Sequence, residues 1–178
     1  MEQRRKFQNN KSIETLTENH QAMKPTVYVE SSVIGYLTAR PSRDVVTAAR
    51  QAITAQWWKR HRGRYELFIS ALVEEEISQG DPEAAEKRLV LADGIPALDV
   101  TERANALAKG LIARGVVPRS SEEDALHIGI AAAAGMDYLL TWNFKHINNA
   151  ETKGAIARVV EHNGFACPVL CSPEELGG

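Results

Sequence analysis

Thr26-Val27-Tyr28-Val29-Glu30-Ser31-Ser32 is the stretch on which the fold reading turns. Four β-branched and aromatic residues in a row make an apolar strand, the composition of a first and central strand in a sheet. The run then ends abruptly in a carboxylate and two hydroxyls. Glu30 is there either as a helix-start acceptor or as part of a site, and Ser31 and Ser32, which can cap on their own, tilt the reading toward a site.

Working outward, strands and helices alternate. Residues 1–24 are polar, with Ile13 and Leu16 as aliphatic anchors, and read as a flexible N-terminal arm. Asp44 to Arg60 puts Val46, Ala49, Ile53 and Trp57 on one helical stripe. Glu66 to Ser70 is a second strand that turns at once into a helix over Leu72 to Gln79, stopped by Gly80. Asp81-Pro82 opens another helix, proline suiting its first turn, and a short strand follows at Ala97 to Val100. Thr101 caps a helix carrying Ala104, Leu107, Ala108 and Leu111 inward, ended by Gly115. Ser120 and Glu123 have capping-box spacing before a small-residue helix, Ala125 to Ala134. Asp137 to Thr141 is a strand, Thr152 to Glu161 a helix, and Pro168 to Cys171 a last strand. This alternation predicts an α/β domain over residues 25–172, one mostly parallel sheet covered on both faces, with residues 173–178 as a C-terminal tail.

With 178 residues and 44% hydrophobic side chains, the chain has enough apolar material for one core without metal or disulfide staples. Cys167 and Cys171 share the same-face spacing of a strand and read as reduced, buried thiols. No apolar run approaches the ~20 residues that cross a bilayer, and the charged, polar start is unlike a signal peptide, so the expected location is cytoplasmic with no membrane partner. A net charge of -2 does not advertise nucleic-acid binding. Lys59, Arg60, Arg62 and Arg64 are either a solvated helix end or a patch for a phosphate backbone.

In an open α/β sheet, ligands bind outside the carboxyl ends of the strands. Glu30 is delivered there. Of Glu74, Glu75 and Glu76, the last borders the stripe of Leu72, Val73 and Ile77, while the other two face water more readily. Asp124 lies in the first turns of an otherwise apolar helix, where free amides favour an anion. His127, three residues on, reads as a supporting hydrogen-bonding group, a satisfied structural histidine or, least of all, a direct metal ligand. Asn143 and the Thr141 hydroxyl leave the fourth long strand at the same edge, whereas Asp137 lies at the opposite end. Three carboxylates and an amide are all oxygen donors, which suit Mg²⁺ or Mn²⁺ rather than zinc. Such ions activate water and neutralise the charge that develops on a phosphodiester. No glycine-rich phosphate loop, dinucleotide fingerprint or nucleophile elbow occurs.

From Thr26 to Cys171 the chain resembles the PIN domain, the metal-dependent ribonuclease domain typical of the toxins of bacterial VapBC toxin–antitoxin pairs. Val27-Tyr28-Val29-Glu30-Ser31-Ser32 stands where the family has a strand ending in Asp before Ser or Thr. Ser70 to Glu76 matches the family's interval from a strand-ending Ser to its second acid. Asp124-Ala125-Leu126-His127 matches the third acid, and Thr141-Trp142-Asn143 the Thr-x-Asp/Asn after the fourth strand. The resemblance implies a three-layer α/β/α sandwich with about five strands and Mg²⁺- or Mn²⁺-dependent cleavage of RNA by Glu30, Glu76, Asp124 and Asn143. Ser31 (or Thr141) and His127 would support them. It also implies a homodimer and a small antitoxin protein that covers the site. Glu30 departs from the usual Asp by one methylene, and Asn143 from Asp by one charge. Two other functions compete: a PIN-like binding or scaffold module without catalysis, and a small-molecule phosphohydrolase.

Overall fold

The computed structural model describes residues 23–177. The arm expected at the N-terminus lies outside the described residues up to residue 22. Five strands form one sheet in the order β3-β2-β1-β4-β5: β1 Thr26–Val29, β2 Glu66–Ser70, β3 Ala97–Leu98, β4 Tyr138–Leu140 and β5 Val169–Cys171. Every neighbouring pair is parallel. β1 is central: Val27 lies opposite Leu67 on one side and Tyr138 on the other, and Val27, Tyr28 and Val29 are fully buried. An apolar strand without alternation is what a doubly covered parallel sheet requires.

The helices are α1 Ser31–Thr38, α2 Val45–Arg60, α3 Ala71–Ser78, α4 Pro82–Ala92, α5 Glu102–Ala113, α6 Glu122–Ala133, α7 Lys153–His162 and α8 Pro173–Gly177. They form two groups, α1 touching α2, α3 and α4 while α2 touches α8, and α5 packing on α6 and α7. With the sheet between them this is the three-layer α/β/α sandwich. No helix among the described residues is long and apolar enough to cross a membrane.

Several local expectations are corrected. α1 has no counterpart in the sequence reading; it forms, although Val33, Ile34 and Gly35 are weak helix formers, because Val33 and Ile34 are buried and Glu30 caps it. On α2, Val46 and Ala49 face solvent, and the buried residues are Thr54 and Trp57. Thr54 tolerates burial because its hydroxyl donates to the Arg50 carbonyl and accepts from Trp142 Nε1 (2.6 and 2.8 Å). The Ser120–Glu123 capping box does not form, since Arg119–Ser121 make a 3-10 turn and Ser121 precedes α6 without a side-chain cap. β3 is two residues long, shorter than the segment to Val100. Cys167 and Cys171 are free thiols, but only Cys171 is buried while Cys167 is half-buried, and burial pushes them up to about 11 (Cys167) and about 12 (Cys171).

Within the last residues, α8 carries a carboxylate with a measurable consequence. Glu175 Oε2 accepts from Asn148 Nδ2, Ser172 N and Ser172 Oγ (2.8, 2.8 and 2.9 Å). Burial pushes Glu175 up, but these donors and Lys153 outweigh it and bring the carboxyl to about 2. A carboxyl depressed in the folded state stabilises above its unfolded value and loses that contribution as pH falls through the folded one. The gap in melting temperature between wild type and Glu175→Gln is therefore expected to be present at neutral pH and to close as pH falls from about 4.5 toward 2. Thermal melts across that range check it.

Candidate metal centre

β1 delivers Glu30 at its carboxyl end, with extended backbone at φ -80° and ψ 155°, as the cap of α1. The carboxylate is 6% exposed and accepts four hydrogen bonds. Ser31 Oγ and Ser32 N reach Oε1 at 2.7 and 3.0 Å, and Ser32 Oγ and Thr141 Oγ1 reach Oε2 at 2.5 and 2.6 Å. Glu30 itself caps α1, and the serine hydroxyls hold its carboxylate. Ser32 Oγ also accepts from Trp142 N (2.9 Å), which ties the end of β1 to the end of β4.

β2 ends in Ser70, whose hydroxyl caps α3 by accepting from Val73 N (3.3 Å). Leu72, Val73 and Ile77 anchor α3 inward, which leaves Glu74 and Glu75 exposed and Glu76 half-buried. Across the cleft, α6 presents Asp124 and His127 from one face, as residues three apart on a helix must. His127 is 1% exposed. Its Nε2 lies 3.2 and 3.1 Å from the two Glu76 oxygens, and its Nδ1 lies 2.7 Å from Tyr28 Oη, which in turn contacts Ser70 Oγ at 2.7 Å.

One ligand atom each from Glu30, Glu76 and His127 lies within 4.8 Å of the others, close enough to share one ion. Asp124 lies beside this group. Its Oδ1 accepts from Asn143 Nδ2 (2.8 Å), while Asn143 Oδ1 accepts from the backbone amides of Lys145 and His146. Burial raises the Asp124 carboxyl, His146 and His127 pull it down, and Glu30 raises it. Glu76 feels burial most, yet the hydrogen bond and charge of His127 hold it below the ordinary range. His127 is raised: burial opposes its charge, and Glu76, Glu30 and Asp124 outweigh burial. Burial also pushes the Tyr28 hydroxyl far up, so it remains a proton donor at any working pH.

The structure therefore brings together Glu30, Glu76, Ser31, Thr141 and His127, with Asp124 and Asn143 as an adjoining pair. Asp137 is at the other end of the sheet, accepting from Thr26 N and Oγ1 (2.7 and 2.9 Å). Sequence reasoning gave Ser32 only a capping role and Ser70 only a motif position, and it gave Tyr28 no role beyond the strand. The only sequence signal for Tyr28 is a hydroxyl inside an otherwise apolar strand.

Comparison with solved structures finds seven chains that match, among them one from a VapBC complex. A chain of the crystal structure of VapBC2 from Rickettsia felis, bound to a DNA fragment from their promoter, superposes with a TM-score of 0.50. The match covers 83% of this chain and 98% of that one, at 12% identity. The likeness is one of fold. No family model matches the sequence, and no curated protein does.

The donor set fits a divalent cation. Two or three carboxylates suit Mg²⁺ or Mn²⁺, and the imidazole, absent from an all-oxygen set, admits softer ions as well. Tyr28 stands behind the His127 imidazole, where such a hydrogen bond fixes the ring and, were His127 to ligate an ion, its tautomer. Tyr28→Phe keeps the ring and removes both contacts. It is expected to weaken Mn²⁺ binding by about 10–100-fold, read by isothermal titration, with an unchanged far-ultraviolet circular dichroism spectrum.

Proposed function

We propose that Glu30, Glu76 and His127, with Asp124 and Asn143 beside them, hold Mg²⁺ or Mn²⁺ and that the chain is a metal-dependent endoribonuclease. The observation that carries this reading is the convergence of three ligand atoms within 4.8 Å at the carboxyl ends of parallel strands. When bound, such an ion lowers the pKa of water and offsets the charge that develops on a phosphodiester.

The protein's own residues prepare the place. Ser31, Ser32 and Thr141 fix the Glu30 carboxylate, so it needs little reorganisation. His127 Nε2 pairs with Glu76 and keeps it ionised and aimed into the cleft, and to ligate an ion it would give up that pairing and its proton. Asn143 donates to Asp124 and orients its carboxylate beside the cluster. The products would be a 5′-phosphate and a 3′-hydroxyl. In the cell we read the chain as the cytoplasmic toxin of a toxin–antitoxin pair, a homodimer whose site a small antitoxin protein covers. The likeness in fold to a chain of the VapBC2 complex supports looking for that partner.

A second reading has one observation in its favour. All four acceptor positions of Glu30 are filled by protein donors, which suits a carboxylate retained for capping in a catalytically inactive binding module. One experiment separates the two. Purified protein freed of partners is incubated with RNA in Mn²⁺ and in chelator, beside Asp124→Asn. Cleavage in Mn²⁺ alone, lost in the variant by about a hundredfold or more, is the expected result. No cleavage by the wild type supports the inactive module.

A further inference from the structure

One cluster lies just outside the proposed site and has no part in it. Trp142, between Thr141 and Asn143, is 5% exposed and locked by its Nε1 bond to Thr54. The Arg50 guanidinium lies over the Trp142 ring (5.4 Å to its centroid) and also over the Phe144 ring (5.2 Å), and Nη1 donates to Tyr36 Oη (3.3 Å). Phe144 meets Trp142 edge-on at 5.9 Å, and Tyr36 meets Trp142 at 5.7 Å.

Two features of this cluster do not serve the core. Phe144 is 38% exposed, and it is the one aromatic among the exposed large hydrophobic residues of the described chain, the rest being aliphatic or Met23. Arg50 makes no close ion pair with a carboxylate among the described residues; aromatic rings hold its guanidinium, and Asp44 feels its charge from further off. Phe144 directly follows Asn143, which places this ring and cation at the lip of the acidic cleft.

We propose that Phe144 and Arg50 form a shelf for one unpaired nucleotide of single-stranded RNA, the base stacking on Phe144 and a neighbouring phosphate meeting Arg50. The substrate class rests on the nuclease reading above. Stacking on a protein ring demands a base that is not already stacked and paired in a duplex, and any base can supply the π-face. A cation beside an aromatic ring gives both halves of a nucleotide a partner. An acidic cleft repels RNA except where metal or a fixed cation offsets it, and Arg50 supplies that offset at the cleft's edge. Trp142, buried and bonded through Thr54, keeps the shelf rigid.

Fluorescence anisotropy with an end-labelled eight-nucleotide single strand tests this, in Ca²⁺ with the RNA verified intact on a gel. An abasic strand of the same length and a blunt duplex are the comparisons. Wild type is expected to bind the single strand about tenfold or more tightly than the abasic strand. Phe144→Ala is expected to erase that preference and Phe144→Trp to retain it. Arg50→Gln is expected to weaken all binding and flatten its salt dependence. A Phe144→Ala protein that keeps the preference overturns the shelf. So does a wild type that binds the abasic strand or the duplex as tightly, or that binds none of the three. If the preference behaves as expected but no RNA is cut in Mn²⁺, the shelf stands and the nuclease reading alone fails.

Discussion

Glu76→Gln is expected to lower Mn²⁺-dependent RNA hydrolysis by more than the 10–100-fold that follows loss of a residue merely hydrogen-bonded to a ligand. The substitution keeps shape and removes charge. It takes one of the two carboxylates from the group that can share an ion. It also leaves His127, 1% exposed, facing an amide in place of the carboxylate that favours its charged form. The fold should survive, because Glu76 faces the cleft half-buried and is not among the anchors of α3, which are Leu72, Val73 and Ile77. Glu75→Gln, one residue away and exposed, is the control and should cleave at the wild-type rate. Rates on a labelled RNA, with circular dichroism of each variant, decide it. Glu76→Gln cleaving like wild type would remove Glu76 from the reaction.

Gly129→Ala is expected to lower the melting temperature by several degrees, although alanine in a helix ordinarily gains about 1 kcal/mol over glycine. Gly129 lies within α6 where that helix meets α5. A methyl group there would fall on the Ala104 carbonyl oxygen, with Ala104 C at 3.2 Å and Ala108 N at 3.4 Å. These are backbone atoms, which cannot swing aside, so the helices must separate. Overpacking of this kind costs about 1–3 kcal/mol and at times more, and each kcal/mol moves the midpoint of a domain this size by about 2–4 °C. Because α6 also presents Asp124 and His127, Mn²⁺ affinity should fall with stability. A variant melting at or above the wild-type temperature would contradict the close approach.

The sheet was legible because its signal is local. Apolar runs such as Val27-Tyr28-Val29 and Leu139-Leu140, separated by helical segments, leave a parallel arrangement as the natural solution. The choice of Glu76 over its neighbours followed from helical geometry with Leu72 and Ile77, and the exclusion of Asp137 from strand direction. What stayed hidden depends on residues far apart in sequence. Thr141 reaches Glu30 across a separation of 111 residues, and Tyr28 reaches His127 across 99. No pattern along the chain states that a strand tyrosine will stand behind a helix histidine. Likewise Thr54 looks like a surface residue until the indole of Trp142, 88 residues later, takes its hydroxyl. The preference for oxygen-only ligands was an inference from residue types, and the proximity of His127 changes it.

A crystal soaked in Mn²⁺ and measured for anomalous scattering tests the central claim most directly. The account predicts a peak ligated by Glu30, Glu76 and His127, whose ligand atoms already lie within 4.8 Å of one another. To admit the ion, at least one of the Ser31, Ser32 and Thr141 hydroxyls must release its hold on Glu30. Saturating Mn²⁺ with no peak at this cluster, and Glu30 still bound by all four donors, would contradict it.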